Sequence, residues 1–111
     1  MKPYIIRHKD FLSYFSRLSP KEQQQVVPSL NRNHLNTISE VCKNFLKCQL
    51  TRDPKVIKKL KRSREEINSI SLKSVPLYQK RKILQTRKGG AILSILLPLA
   101  ASVITSLLSR K

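Results

Sequence analysis

Residues 89–108 read GGAILSILLPLAASVITSLL, twenty positions without a charge. A basic segment containing Lys80, Arg81, Lys82, Arg87 and Lys88 precedes the run, and Ser109, Arg110 and Lys111 close it. As a helix rising about 1.5 Å per residue, the run would reach roughly 30 Å, the thickness of a bilayer's hydrocarbon core. Such a segment must meet a membrane, a partner or the protein's own core. Beyond the glycines only about 18 residues remain, near the lower limit for a span. Five of those are Ser94, Pro98, Ser102, Thr105 and Ser106.

Ser94, Pro98, Ser102 and Ser106 recur every four residues, so small and hydroxyl side chains form one stripe of a helix. The rest of its surface is Ile92, Leu93, Ile95, Leu96, Leu97, Leu99, Val103, Ile104, Leu107 and Leu108. A stripe of this kind allows close helix–helix approach in lipid, which would also let a second copy of the chain associate, and it equally suits a helix lying on its own domain. Pro98 leaves one carbonyl without its helical donor, which is tolerable where the stripe faces protein or water. The tail is expected to lie on, disrupt or span a membrane, held by the flanking cations at anionic headgroups.

Gly89 and Gly90 sit at the boundary of this run. They read as a helix stop and hinge, since glycine tolerates positive φ, or as a processing site for a protease with a cleft too narrow for side chains. The chain is accordingly expected to divide into a basic helical domain over residues 1–88 and a hydrophobic, membrane-active or anchoring tail over residues 89–111.

The part before the boundary is chemically the opposite. The 111 residues hold 23 Lys and Arg against 6 Asp and Glu, a formal net charge of +17. A field of that sign calls for a polyanionic partner, nucleic acid or an anionic lipid surface, because condensed counterions are released when Lys and Arg meet it. All six acids lie at or before Glu66, so residues 67–111 carry only positive charge. The densest run, KVIKKLKRSR, places Lys55, Lys58, Lys59, Lys61, Arg62 and Arg64 within ten residues. These six, with Lys80, Arg81, Lys82, Arg87 and Lys88, are the candidate phosphate contacts. Aromatic residues are too few for stacking on bases and no reading head for a groove is visible, so binding to duplex DNA would be independent of sequence.

Helical periodicity runs through the whole chain, and no strand pattern competes with it. Tyr4, Ile5, Phe11, Leu12, Phe15 and Leu18 mark a first helix. Ser19, Pro20 and Glu22 form a capping box opening a short helix to about Val27, ended by Pro28. Asn31 or Asn33 caps a third helix, whose inner face is Leu35, Ile38, Val41, Cys42, Phe45 and Leu46. Asp53 and Pro54 open a fourth, on which Val56, Ile57, Leu60, Ile67 and Ile70 fall within roughly 140° of arc. A break over residues 71–76 precedes a short basic helix with Leu77, Tyr78, Ile83 and Leu84. The fold class is all-α, a small helical bundle followed by a Gly-Gly hinge and a C-terminal hydrophobic helix.

Cys42 and Cys48 lie about 240° apart around a helix and cannot bridge each other. His8 and His34 have no Cys or acidic partner at zinc-like spacing, so no metal is expected. No Ser-His-Asp set, paired carboxylates, Walker or Rossmann pattern appears, so neither an enzyme nor a cofactor is expected.

The order of features resembles the small basic proteins of Maverick/Polinton elements and adintoviruses. The shared block is a basic helix, a short break, a V-x-L-x-x-K-R-x-x-L pattern, Gly-Gly and a Leu-, Pro- and Ala-rich tail. It is carried here by Val75, Leu77, Lys80, Arg81, Lys82, Leu84, Gln85, Arg87, Gly89, Gly90, Leu93, Leu97 and Pro98. The resemblance implies a minor virion core protein, comparable to the adenoviral core protein X and the membrane-lytic protein VI, located in the virion and in the host nucleus or cytoplasm. It further implies that the tail meets membrane or the capsid interior, and that a Gly-Gly-specific viral protease of the adenain type is a partner. Arg87 departs from that pattern, standing where adenain-type sites carry an aliphatic residue. The other reading from the residues is a cellular tail-anchored or peripheral membrane protein whose cations bind anionic lipid.

Overall fold

The computed structural model describes residues 7–47 and 50–108, apart from the side chains of Leu107 and Leu108. Tyr4, Ile5, Cys48, Ser109, Arg110 and Lys111 lie outside the described residues. Among the described residues every element is helical: α1 (Lys9–Ser16), α2 (Pro20–Val26), α3 (Arg32–Leu46), α4 (Pro54–Lys59), α5 (Arg64–Ser71), α6 (Leu77–Leu84) and α7 (Arg87–Leu108). Two 3-10 turns, Val27–Ser29 and Lys61–Ser63, interrupt the series.

The caps act as their residue types dictate. The Ser19 hydroxyl accepts from the Glu22 N–H at 3.2 Å while the Ser19 N–H donates to Glu22 Oε1 at 2.9 Å, with Pro20 at the first helical position. Asn31, and not Asn33, caps α3: its Oδ1 accepts from the His34 N–H at 2.9 Å, and its own N–H donates to His34 Nδ1 at 3.3 Å. Asp53 caps α4 through the Lys55 N–H at 2.9 Å. Each bond satisfies a donor that the first helical turn leaves without a partner.

The stretch opened by Asp53 differs from the single helix its periodicity predicts. It breaks into α4, the Lys61–Ser63 turn and α5. A continuous helix would stack Lys55, Lys58, Lys59, Lys61 and Arg62 at like-charged spacings of three and four, an unfavourable arrangement. The break takes Lys61 and Arg62 off the helix that carries Lys55, Lys58 and Lys59 and still lets Leu60, Ile67 and Ile70 reach the core, while Ile57 is left exposed.

Helix α7 is the pillar of the bundle, touching α1, α2, α3, α5, α6 and the Lys61–Ser63 turn. Ile92, Leu93, Leu96, Leu97, Ala100 and Ile104 on it are fully buried in the core that also holds Leu12, Phe15, Leu35, Ile38, Ile67 and Leu84. At 100° per residue those α7 positions span about 140° of arc, a stripe of core-helix width. Burial of each Leu or Ile among them contributes about 2 kcal/mol. The opposite arc carries Ser102, Thr105 and Ser106, all exposed, with Pro98 half-buried. The stripe from Pro98 to Ser106 thus lies on the outer side, where the missing N–H of Pro98 falls, while Ser94 at its start turns toward α2.

Gly89 and Gly90 form no hinge. Both lie in the first turn of α7, which begins two residues before them, so the expected boundary after Lys88 runs through one helix and one core. The corner between α6 and α7 is made instead by Thr86. Its hydroxyl donates to the Ile83 carbonyl at 2.6 Å and accepts from the Gly89 N–H at 3.1 Å, while the Gly90 N–H reaches the Thr86 carbonyl at 2.8 Å.

Two glutamines of α2 join the layers. Buried Gln23 donates from Nε2 to the Phe15 carbonyl at 3.0 Å, and its Oε1 accepts from the Ser94 hydroxyl at 3.3 Å, tying α1 to α7. Gln24 Nε2 donates to the Leu84 carbonyl at 2.9 Å and so closes the C-terminus of α6. Gln24 satisfies a backbone carbonyl at the end of a helix, and Gln23 adds a second donor to the Phe15 carbonyl, which already accepts from the Leu18 N–H at 3.2 Å.

Candidate polyanion-binding surface

The cations of the densest run hold the surface that its composition predicts. Lys55, Lys58, Lys59, Lys61, Arg62 and Arg64 are all exposed, spread over α4, the 3-10 turn and the start of α5. Lys82, Arg87 and Lys88 are exposed as well. Lys88 Nζ lies 3.5 Å from Glu66 Oε1, which brings the first turn of α7 against the first turn of α5. The two basic blocks, separated in sequence, therefore meet at that pair.

The acids do little to neutralise this surface, because most are engaged locally. Glu22 sits in the capping box, where the Ser19 backbone N–H and then its hydroxyl hold the carboxyl below its ordinary pKa. Asp53 caps α4, Asp10 pairs with Lys9 at 3.5 Å, Glu40 with Lys43 at 3.9 Å, and Glu66 with Lys88. The exposed Lys9–Asp10 pair is worth little, and the half-buried Glu40 and Glu66 are each matched by one lysine, so the excess cations remain available to a partner's charge.

Lys80 and Arg81 do not belong to this surface. Lys80 is 3 % exposed and its ammonium donates to the Ser39 hydroxyl at 2.9 Å. Arg81 is half-buried, with Nε and Nη2 donating to the Leu30 carbonyl at 3.2 and 2.7 Å. The helical register explains both. α6 packs on α3 and on the Val27–Ser29 turn, so two of its consecutive cations point inward where surface positions were expected.

The apolar positions assigned to membrane insertion are differently placed as well. Ile92, Leu93, Leu96, Leu97 and Ile104 are fully buried, and Ile95, Leu99 and Val103 are partly buried against the same core. The side chains of Leu107 and Leu108 lie outside the described residues. Gly89 is buried within the first turn of α7, so a protease that takes an extended chain would have to unwind that turn.

No known protein family, characterised protein or solved structure matches this chain. Function must therefore be argued from the surface itself.

Reading the sequence alone missed three contributors. Arg52 and Lys73 are exposed cations outside the named blocks, legible only in the total charge. Tyr78 is 63 % exposed, with Lys82 Nζ 5.8 Å from its ring centroid, an aromatic face beside a cation on the same helix. Their i and i+4 spacing was the signal available. His34 serves the fold: its ring stacks on Phe11 at 4.2 Å between centroids. Among the described residues, no three His, Cys, Asp or Glu side chains are grouped to hold a metal ion.

Proposed function

We propose that this protein is a sequence-independent DNA-binding protein that neutralises duplex phosphates with the exposed cations of α4, the Lys61–Ser63 turn, α5, α6 and the first turn of α7. The role in which it does so is that of a minor virion core protein, in line with the resemblance to the small basic proteins of Maverick/Polinton elements. The observation that carries the binding is the Lys88–Glu66 contact. It brings the ends of two basic blocks together while the acids are used as caps and local pairs. Contacts to phosphate position a protein without reading sequence.

Fluorescence anisotropy with two labelled duplexes of unrelated sequence tests the proposal. Equal affinities are expected, falling by at least about tenfold when Lys58, Lys61 and Arg62 are reversed to Glu. A variant that keeps full affinity while remaining folded would remove the assignment.

A second reading has its own observation. Arg87–Ser106 has a mean hydropathy of 1.8 and is long enough to cross a membrane, with Ile95, Leu99 and Val103 on its less buried side. Under that reading the same cations meet anionic lipid and α7 leaves the core to insert. Binding to phosphatidylserine vesicles, with loss of near-native helix packing on association, would favour it over DNA.

A further inference from the structure

A cavity of about 510 Å³ opens between α3, the 71–76 connection and α6. Three cations, Arg32, Lys73 and Lys80, line it against a single carboxylate, that of Glu40. Arg32 and Lys73 are exposed at its mouth, whereas Lys80 is buried in its wall. The only bond of the Lys80 ammonium among the described residues goes to Ser39, whose own proton is already given to the Leu35 carbonyl at 2.9 Å. An ammonium has three hydrogens, so two remain. Glu40 pairs with Lys43, and no described carboxylate pairs with Lys80.

A buried cation without a counter-ion is unfavourable, and Cys42 beside it does not supply one. That thiol is fully buried and pushed up to about 12, so it stays protonated at neutral pH. Burial also lowers the pKa of Lys80, which marks the strain of carrying its charge there. Among the described residues no side chain supplies the counter-charge, and an anion entering the cavity would supply it.

We propose that this cavity binds a phosphate monoester with a small apolar body. The phosphate lies against Lys80, with Arg32 and Lys73 closing on it from the mouth, and the body lies on Val75, Pro76 and Leu77, which form the apolar part of the wall. Three cations beside a carboxylate that Lys43 already pairs leave the cavity strongly positive, which suits a phosphate group. Guanidinium and ammonium groups are the usual donors to phosphate oxygens. The volume falls in the ordinary range for small-ligand sites and leaves room for more than inorganic phosphate. A soluble phosphate ester and a phospholipid headgroup share this chemistry. The inference is independent of DNA binding and uses no nucleic acid in its test.

The test is titration of the full chain with phenyl phosphate and, separately, with short-chain phosphatidic acid below its micelle concentration, by calorimetry and amide NMR in about 150 mM salt to screen surface charge. Saturable one-to-one binding of either probe, with shifts at Ser39, Ser71 and Val75, supports the site, and the better probe identifies the source. Lys80→Met should weaken it by at least about tenfold, as expected for loss of a charge-assisted bond, while Lys21→Met on α2 leaves it unchanged. If Lys80→Met does not fold, the surface variant Lys73→Met replaces it and should weaken binding about threefold or more. Absence of saturable binding of both probes to the folded protein, or equal loss in Lys21→Met, overturns the proposal.

Discussion

Gly89 lies against the last turn of α6 so closely that a Cβ built on it would stand 2.5 Å from Leu84 Cα and 2.7 Å from its carbonyl carbon, and would collide with the Ile83 carbonyl. The close approach, and no hinge motion, is what requires glycine there. Gly90 is less confined, its nearest neighbour being Gln24 Nε2 at 3.2 Å. Gly89→Ala is expected to destabilise the fold by about 1–3 kcal/mol, because backbone cannot yield as a side chain can. Gly90→Ala should change stability by about 1 kcal/mol or less, the gain in helix propensity offsetting a shift of Gln24. Urea denaturation of the two variants measures both, and equal effects would show that the α6–α7 corner is not so tightly made.

Helix α7 supplies six fully buried side chains, so it should be indispensable to the fold. Leu96→Ala is expected to cost about 2–5 kcal/mol by removing core contacts and leaving a cavity. A chain truncated after Gly90 should lose cooperative thermal unfolding altogether. A truncated protein that still melts cooperatively would mean that residues before Gly89 form a core of their own.

His34 gives the fold a pH dependence near neutrality. Its pKa is lowered, first by burial and then by the charge of His8. Its Nδ1 accepts from the Asn31 N–H, a role the protonated ring cannot fill. As pH falls from about 7 to 5, the unfolded chain takes a proton that the folded one resists, so stability decreases with acidification. Glu22 is shifted in the same direction and gives the same trend lower down: its stabilisation is present above the ordinary carboxylate pKa and is lost as pH falls through the lowered value. Thermal melts between pH 7 and 5 should show a decline that His34→Gln flattens. An unchanged slope in that variant would remove His34 as its source.

Cys42 should be inert in the native state. It is free, fully buried and pushed up to about 12, so thiolate is scarce and enclosed. In a Cys48→Ser background, a thiol reagent should label it only at the rate of global opening, accelerating with urea. Rapid labelling of folded protein would contradict the placement of α3.

The helices were legible because their signals are local. Ser19 with Glu22, Asn31, and Asp53 with Pro54 each declare a cap within four residues, and the α3 stripe repeats at three and four. The role of residues 89–108 was less legible, since length and hydropathy cannot distinguish a core pillar from a membrane helix. The stripe of Ser102, Thr105 and Ser106 held the answer, being the solvent side of a one-faced helix. The Gly-Gly pair misled because glycine serves a hinge and a close approach equally well, and only the partner, Leu84, decides between them. Lys80 and Arg81 were misplaced for a similar reason: whether a cation points in or out depends on which face of α6 meets α3.

The central claim, that the exposed cations bind duplex phosphates, is tested most directly by the dependence of DNA affinity on salt. With about six phosphates neutralised, the logarithm of the binding constant against the logarithm of salt concentration should fall with a slope near −5, equal for unrelated sequences. A slope near zero would contradict it.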